Sequence, residues 1–232
     1  MPYHLACYNK GSNTKIGDAM RKYKNRREAG KILAQYLQQY AGESELLVLA
    51  LPRGGVPVAY EVASALKAPL DVFIVRKLGV PSYDELAMGA IASGGTVVLN
   101  KNIINEFQVS KEALDLKIEQ EKRELKRREQ LYRHNHAYPD LSNKKIILID
   151  DGIATAATIE VAILALRKLN PVKIIVAVPV ASDAYRKISG LVDEFICPLL
   201  PEHFSAVGEW YDDFQQTEDE EVFNLLNQSH NF

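Results

Sequence analysis

Apolar residues fall in blocks along this chain, and the blocks come in two kinds. LLVLAL (46–51), LDVFIV (70–75), KKIILID (144–150), KIIVAVPVAS (173–182) and DEFICPL (193–199) are short, nearly continuous apolar runs. Runs of that length without alternation mark strands covered on both faces. Between them the period lengthens. In residues 25–40, Ala29, Ile32, Leu33, Tyr36, Leu37 and Tyr40 share one helical face. VPVAYEVASALKA and IEVAILALRKLN predict two further helices, each following a strand. PSYDELAMGAIASGGTVVLN predicts a loop, then a short hairpin-like pair turning at Gly94-Gly95. Buried strands alternating with helices predict the α/β class: a doubly wound, mainly parallel five-stranded sheet with helices on both faces.

Two segments stand outside that alternation. Residues 111–135, KEALDLKIEQEKRELKRREQLYRHN, form a long charged helix with a thin apolar stripe of Leu114, Ile118, Leu125 and Tyr132. Its cations (Lys122, Arg123, Lys126, Arg127, Arg128, Arg133) are interleaved with Glu112, Glu119, Glu121, Glu124 and Glu129. That lacing describes a solvated helix face rather than a nucleic-acid surface. His134 and His136 have no Cys or carboxylate partner at ligand spacing, so no metal site is expected there. The C-terminal stretch FSAVGEWYDDFQQTEDEEVFNLLNQ carries the only Trp and ends in an amphipathic acidic helix. The expected organisation is an irregular segment over 1–24, a core over 25–200 containing the charged helix, and a C-terminal segment over 201–232.

Composition narrows the picture by exclusion. The 232 residues carry a net charge near −2, which gives no overall attraction to nucleic acid or to a membrane. No window approaches the roughly 18 apolar residues of a spanning helix, and the first residues lack a signal-peptide apolar core. Cys7 and Cys197 lie far apart without CxxC spacing, so a reducing cytoplasm is the expected compartment.

In open α/β sheets ligands bind beyond the carboxyl ends of the strands. Three such ends carry unusual residues: PRGG (52–55), RKLG (76–79) and DDGIATAAT (150–158). Asp150 and Asp151 directly follow IILI, where carboxylates accept hydrogen bonds from a polyol. Gly152, Ala154, Ala156 and Ala157 keep the turn lean and its amides uncovered. Thr155 and Thr158 add hydroxyls, and a helix opening at Thr158 presents its positive dipole end. A diol met by acids and a phosphate met by a helix N-terminus describe a ribose 5-phosphate. In PRGG, Arg53 with the amides around Gly54 and Gly55 suits an anion.

IILIDDGIATAAT resembles the 5-phosphoribosyl 1-pyrophosphate (PRPP) motif of type I phosphoribosyltransferases. LALPRGGVPVAYEVA, VRKLGVPSYDELAMGAI and AVGEWYDDF resemble a subgroup of that family. The resemblance implies transfer of ribose 5-phosphate from PRPP to a nitrogen acceptor, a nucleobase among the candidates, with release of pyrophosphate. It implies that Asp150 and Asp151 hold the ribose hydroxyls, and Mg²⁺ largely through substrate and water. Residues 154–158 would hold the 5-phosphate. PRGG would be the pyrophosphate loop, where a cis non-proline peptide sometimes occurs, with Arg76 and Lys77 as further cations near the leaving group. Glu85 and Met88-Gly89 would lie on the acceptor side. The C-terminal segment would form a hood in which Trp210 or Tyr211 stacks on a planar acceptor and Asp212 or Asp213 binds its polar groups. A homodimer is the assembly many relatives adopt. One departure stands out: the family nearly always has Gly where this chain has Ala156. At a positive φ the extra Cβ would cost about 1 kcal/mol and narrow the approach to phosphate. That departure supports an alternative, a PRPP- or nucleotide-binding regulator without turnover. A third reading is a protein of this fold acting through partners that dock on the charged helix.

Overall fold

The computed structural model describes residues 22–133 and 138–229, with the side chains of Asp84 and Glu85 outside the description. Most of the 1–24 segment, with His134 and His136, therefore lies outside the described residues. Five parallel strands form the central sheet: β1 (Leu46–Ala50), β2 (Leu70–Val72), β6 (Lys145–Ile149), β7 (Lys173–Ala177) and β8 (Glu194–Ile196). Their spatial order is β2-β1-β6-β7-β8, the doubly wound arrangement expected from the apolar runs. β1 and β6 sit at the centre, paired from Leu46↔Lys145 to Ala50↔Ile149, so both run their full length in register.

Alternate residues of the central strands enter two cores. Leu46, Val48, Ala50, Ile147 and Ile149 face one layer, whose helices are α1 (Arg26–Tyr36), α2 (Gly55–Leu66), α4 (Lys111–Arg133) and α6 (Asp219–Ser229). Leu47, Leu49, Ile146 and Leu148 face the other, where α5 (Ala157–Arg167) packs through Ile159, Ala162, Ile163 and Leu166. Burial on both faces is why these strands read as unbroken apolar runs.

The structure departs from the sequence-based expectation in the middle of the chain. The run 70–75 is not one strand: the Phe73 amide makes the last bond to β1, at Ala50, the Ile74 amide turns to the Ser93 hydroxyl, and β3 (Val75–Val80) begins a second sheet. The segment expected as a loop, PSYDEL, enters β4 (Tyr83–Ala92), which pairs with β3 on one side and with β5 (Thr96–Leu99) on the other. Ala87 is exposed and Met88 buried, but Ala90, Ile91 and Ala92 are all buried, so the alternation of this antiparallel strand is lost where both its faces are covered. The turn at Gly94-Gly95 is as expected, both glycines holding positive φ (77° and 76°). A short α3 (Lys101–Glu106) leads into α4. The apolar run 173–182 likewise shortens to β7, because Pro179 has no amide for the ladder. No helix among the described residues is long and apolar enough to cross a membrane.

Candidate functional site

Asp150 and Asp151 emerge at the carboxyl end of β6, in the middle of the sheet. The Asp151 amide donates to Asp150 Oδ1 at 2.9 Å, which fixes the first carboxylate against the turn. Burial pushes Asp150 well above the usual carboxylate range, and the neighbouring Asp151 charge pushes it further. Asp151 is also raised by burial, with Arg26 pulling the other way. Acids that resist ionisation so close together are suited to a cationic or hydroxyl-rich ligand, which would favour their charged, hydrogen-bond-accepting form.

The β1 turn lies directly against this pair. A Cβ on Gly54 would stand 2.1 Å from Asp151 Oδ2, and one on Gly55 would stand 2.8 Å from the Ile149 carbonyl. Gly54 has ordinary helical angles (φ −59°, ψ −32°), so glycine is required there for space and not for φ. Within the turn the amides of Gly55 and Val56 are occupied by the carbonyls of Leu51 and Arg53, at 3.1 Å each. The amides of Arg53 and Gly54 donate to no acceptor among the described residues. The expectation of a fully exposed anion loop is thus halved. The Pro52–Arg53 peptide bond is cis.

On the other side of the acids, residues 152–156 lead into α5 one residue earlier than expected, at Ala157. No side chain caps this helix, and Glu160, bonded to the Ala156 carbonyl at 2.8 Å, is the first amide to find a partner in it. The amides of Ala154 to Ile159 donate to nothing among the described residues, while Ala154, Thr155, Ala157 and Thr158 are exposed. An uncapped helix start with that many open donors has the chemistry to receive an anion. Ala156 sits at φ −70°, and the residue is buried with Ile153 and Ile159 in the second core. The penalty expected of Ala at a positive φ therefore does not arise. Gly152 has a different reason from the one expected: its Cβ would meet Val207 at 2.6 Å, so it makes room for the tail.

The tail itself closes over the acids. Tyr211 donates through its hydroxyl to the Asp151 carbonyl at 2.5 Å. Residues 23–24 and 210–213 pair alongside, the Asp212 and Asp213 amides reaching the carbonyls of Tyr23 (2.8 Å) and Lys24 (2.9 Å). Arg26, absent from the residues that the sequence singles out, donates from Nε to Asp151 Oδ2 at 2.8 Å and from Nη1 to the Gln215 carbonyl at 2.6 Å. The signal for it was a cation in the first turn of a helix, where the dipole favours acids. Trp210 and Tyr211 are each only 4% exposed, packed with Tyr23, Ala29 and Val180. Neither offers a free ring face, which corrects their expected role as stacking platforms. Asp212 and Asp213 are exposed, and Asp213 accepts from the Gln215 amide.

The remaining expected residues are dispersed. Arg53 turns towards the start of α6, its Nη1 lying 3.9 Å from Glu218 and 3.8 Å from Asp219. Arg76 and Lys77 do not end a strand: they lie inside β3, opposite Ile91 and Ala90. Arg76 is committed to Glu121 of α4, at 2.9 Å from Nε and 2.7 Å from Nη2. The Lys77 side chain is exposed. Met88 is a core residue, and Gly89 lets β5 approach, since a Cβ there would meet the Val98 carbonyl at 2.4 Å. Beside the turn that leads into α5, on the β7 side, Ser182 donates to the Ala154 carbonyl at 2.7 Å and lines a cavity of about 350 Å³. Asp183, Arg186, Glu202 and Phe204 complete much of its wall.

The chain matches the model of the phosphoribosyl transferase domain over residues 21–93 and 82–197. Two curated proteins of Mycobacterium tuberculosis, each carrying the name "Putative phosphoribosyl transferase", are 42% identical to it over 212 residues, which is 91% of this chain and 48% of theirs. The chain thus spans about half the length of the curated relatives it matches. The crystal structure of TT1426 from Thermus thermophilus aligns with a TM-score of 0.79 at 36% identity, covering 89% of this chain and 98% of that one. An α/β chain with this sheet order and this degree of identity belongs to the type I phosphoribosyltransferase family.

Proposed function

We propose that the chain transfers ribose 5-phosphate from PRPP to a nitrogen acceptor. The observation that carries this reading is the buried acid pair at the end of β6 beside the uncapped start of α5. The amides of residues 154–158 would hold the 5-phosphate, with the hydroxyls of Thr155 and Thr158 in support. Asp150 and Asp151 would accept from the ribose 2- and 3-hydroxyls. The amides of Arg53 and Gly54 would face the pyrophosphate.

In the reaction, a C–N bond forms at the anomeric carbon as its C–O bond breaks, and the electron pair leaves with pyrophosphate. Attack and departure must take opposite sides. The strand order supports that geometry: the PRGG turn follows β1 on one flank of β6, and the 350 Å³ cavity lies beyond β7 on the other. The acceptor would occupy that cavity, with Phe204 in place of Trp210 as its apolar wall. The protein then works by aligning the two partners and by meeting the departing charge with fixed donors.

Mg²⁺ fits this donor set only as an ion that arrives with the substrate. No group of three or more His, Cys, Asp or Glu converges among the described residues, so Asp150 and Asp151 would supply at most part of six oxygens. Held there with the substrate, Mg²⁺ would supply charge neutralisation to the leaving pyrophosphate.

Calorimetric titration with Mg²⁺ and PRPP tests the reading. Asp150→Asn with Asp151→Asn is expected to abolish binding while leaving the far-ultraviolet circular dichroism of the folded chain unchanged. Equal affinity in parent and double variant would show that the pair is not the ribose site. A second reading, a PRPP-binding regulator without turnover, draws support from Arg53 and Arg76, whose guanidiniums are turned to acids outside the crevice. Binding without pyrophosphate release across a panel of nitrogen acceptors would favour it.

A further inference from the structure

The Arg26 side chain is largely buried, 11% exposed, and its guanidinium meets three separate partners. Nε reaches Asp151 Oδ2, Nη1 reaches the Gln215 carbonyl, and Cζ lies 3.9 Å above the centre of the Phe214 ring. Asp151 Oδ2 is thereby enclosed between Arg26 and the backbone of Gly54, where even a methyl group would stand 2.1 Å from that oxygen. Its second oxygen, Oδ1, receives no hydrogen bond from another described residue and is the one left for a ligand. The same aspartate also receives the Tyr211 hydroxyl on its carbonyl. Beside the pairing of residues 210–213 with 23–24, the tail is thus fastened to the acid pair itself through Asp151 and Arg26. We propose that Arg26 is a positioning residue: its guanidinium fixes the Asp151 carboxylate so that one oxygen faces the crevice, and ties residues 211–215 over the same carboxylate.

The chemistry requires arginine specifically. A planar fork can donate in two diverging directions and still stack on an aromatic face, whereas an ammonium is a point charge on a flexible stem. Placing a cation at the first turn of α1 works against the helix dipole, and these contacts offset that cost. The proposal rests on the reading of the acid pair as a ribose site, but its tail half is independent of any ligand.

The experiment uses Arg26→Ala, Arg26→Lys, Asp151→Asn and the Arg26→Ala/Asp151→Asn double variant of the whole chain. Two quantities are read: amide hydrogen exchange of residues 211–215 without ligand, and affinity for PRPP with Mg²⁺. Arg26→Ala is expected to speed that exchange at least tenfold and to weaken PRPP at least tenfold. Added guanidinium ion should restore part of the affinity. Arg26→Lys, which keeps the charge and guards against a variant that fails to fold, should recover less than half of either effect on a logarithmic scale. In the Asp151→Asn background, Arg26→Ala should change affinity less than twofold, because the two act as one unit. Parental affinity with parental exchange in Arg26→Ala, or full rescue by lysine, would overturn the proposal. So would additive losses in the double variant. If the parent itself does not bind PRPP, the proposed function fails, and exchange alone decides. Faster exchange of 211–215 in both Arg26→Ala and Asp151→Asn upholds the tie, and parental exchange in either overturns it.

Discussion

Ala156 shows how a single residue changes meaning once its backbone is known. As a departure from a family glycine it suggested a strained loop, and with it a lost activity. At φ −70°, buried beside Ile153 and Ile159, it is an unstrained N-cap residue with its methyl in the core. Ala156→Gly should therefore leave PRPP affinity within about twofold. It should lower stability by about 1 kcal/mol, from the lost methyl and added backbone freedom, partly offset by glycine's better fit at an N-cap. Titration and thermal unfolding check both halves, and a marked gain in affinity would show that the methyl does obstruct phosphate. Gly54 is the opposite case. Gly54→Ala should weaken PRPP at least tenfold, because the new Cβ must displace the Asp151 carboxylate that it would otherwise approach to 2.1 Å. Titration of that variant beside the parent measures the loss. The acids and the lean turn could be read from the chain because a helix cap needs one acid, and a second straight after four aliphatic residues points to a ligand. Arg26 could not, since the partner that gives it meaning lies 125 positions away. Arg53 and Arg76 were placed by their strand ends and Trp210 by resemblance, and their final orientations depend on α4, α6 and the tail.

Among the elements, those with a single period were the legible ones. β1, β6 and β7 are covered on both faces and announce themselves as apolar runs, whereas only the end of β4, beside the Gly94-Gly95 turn, was legible and its polar start read as a loop. The edge of the sheet carries a polar network that no periodicity reveals. Tyr40, after α1, donates to Glu194 at the start of β8, and Lys173 at the start of β7 donates to both, at 2.8 Å each. Burial raises the Glu194 pKa, but the bonds from Lys173 and Tyr40 outweigh it, leaving the group below its ordinary value of 4.5. A carboxylate lowered by folding adds stability above its unfolded pKa and loses it as pH falls through the folded one. Glu194→Gln should thus cost about 1 kcal/mol at neutral pH. The difference from the parent should shrink as pH drops below about 4.5 in denaturant titrations. A penalty that persists undiminished in acid would mean that the carboxylate's shape, and not its charge, holds the β7–β8 edge.

For the whole molecule, the sequence suggested a core followed by a C-terminal segment, and the topology of the core followed from its strands alone. The place of that segment did not, because its contacts are all remote. Val222, Leu225 and Leu226 of α6 are buried in the same core as α2 and α4, and Tyr132 of α4 donates to Asp219 at 2.5 Å. The preceding residues 210–215 lie over the acid pair, so one tail both completes the first core and covers the crevice. If that is so, the chain should unfold as one unit. Leu225, 2% exposed, is the place to test it. Leu225→Ala should cost about 2–4 kcal/mol, the usual loss for a truncated core leucine. The denaturant dependence should keep its slope, since the same surface is exposed on unfolding. The only tryptophan, Trp210, reports on the tail by fluorescence, while far-ultraviolet circular dichroism reports on all the helices. Coincident transitions in the variant, shifted together from the parent, are the expected result. A fluorescence transition that moves to lower denaturant while the dichroism transition stays would make the tail an independent appendage, and the crevice would then open without the core unfolding.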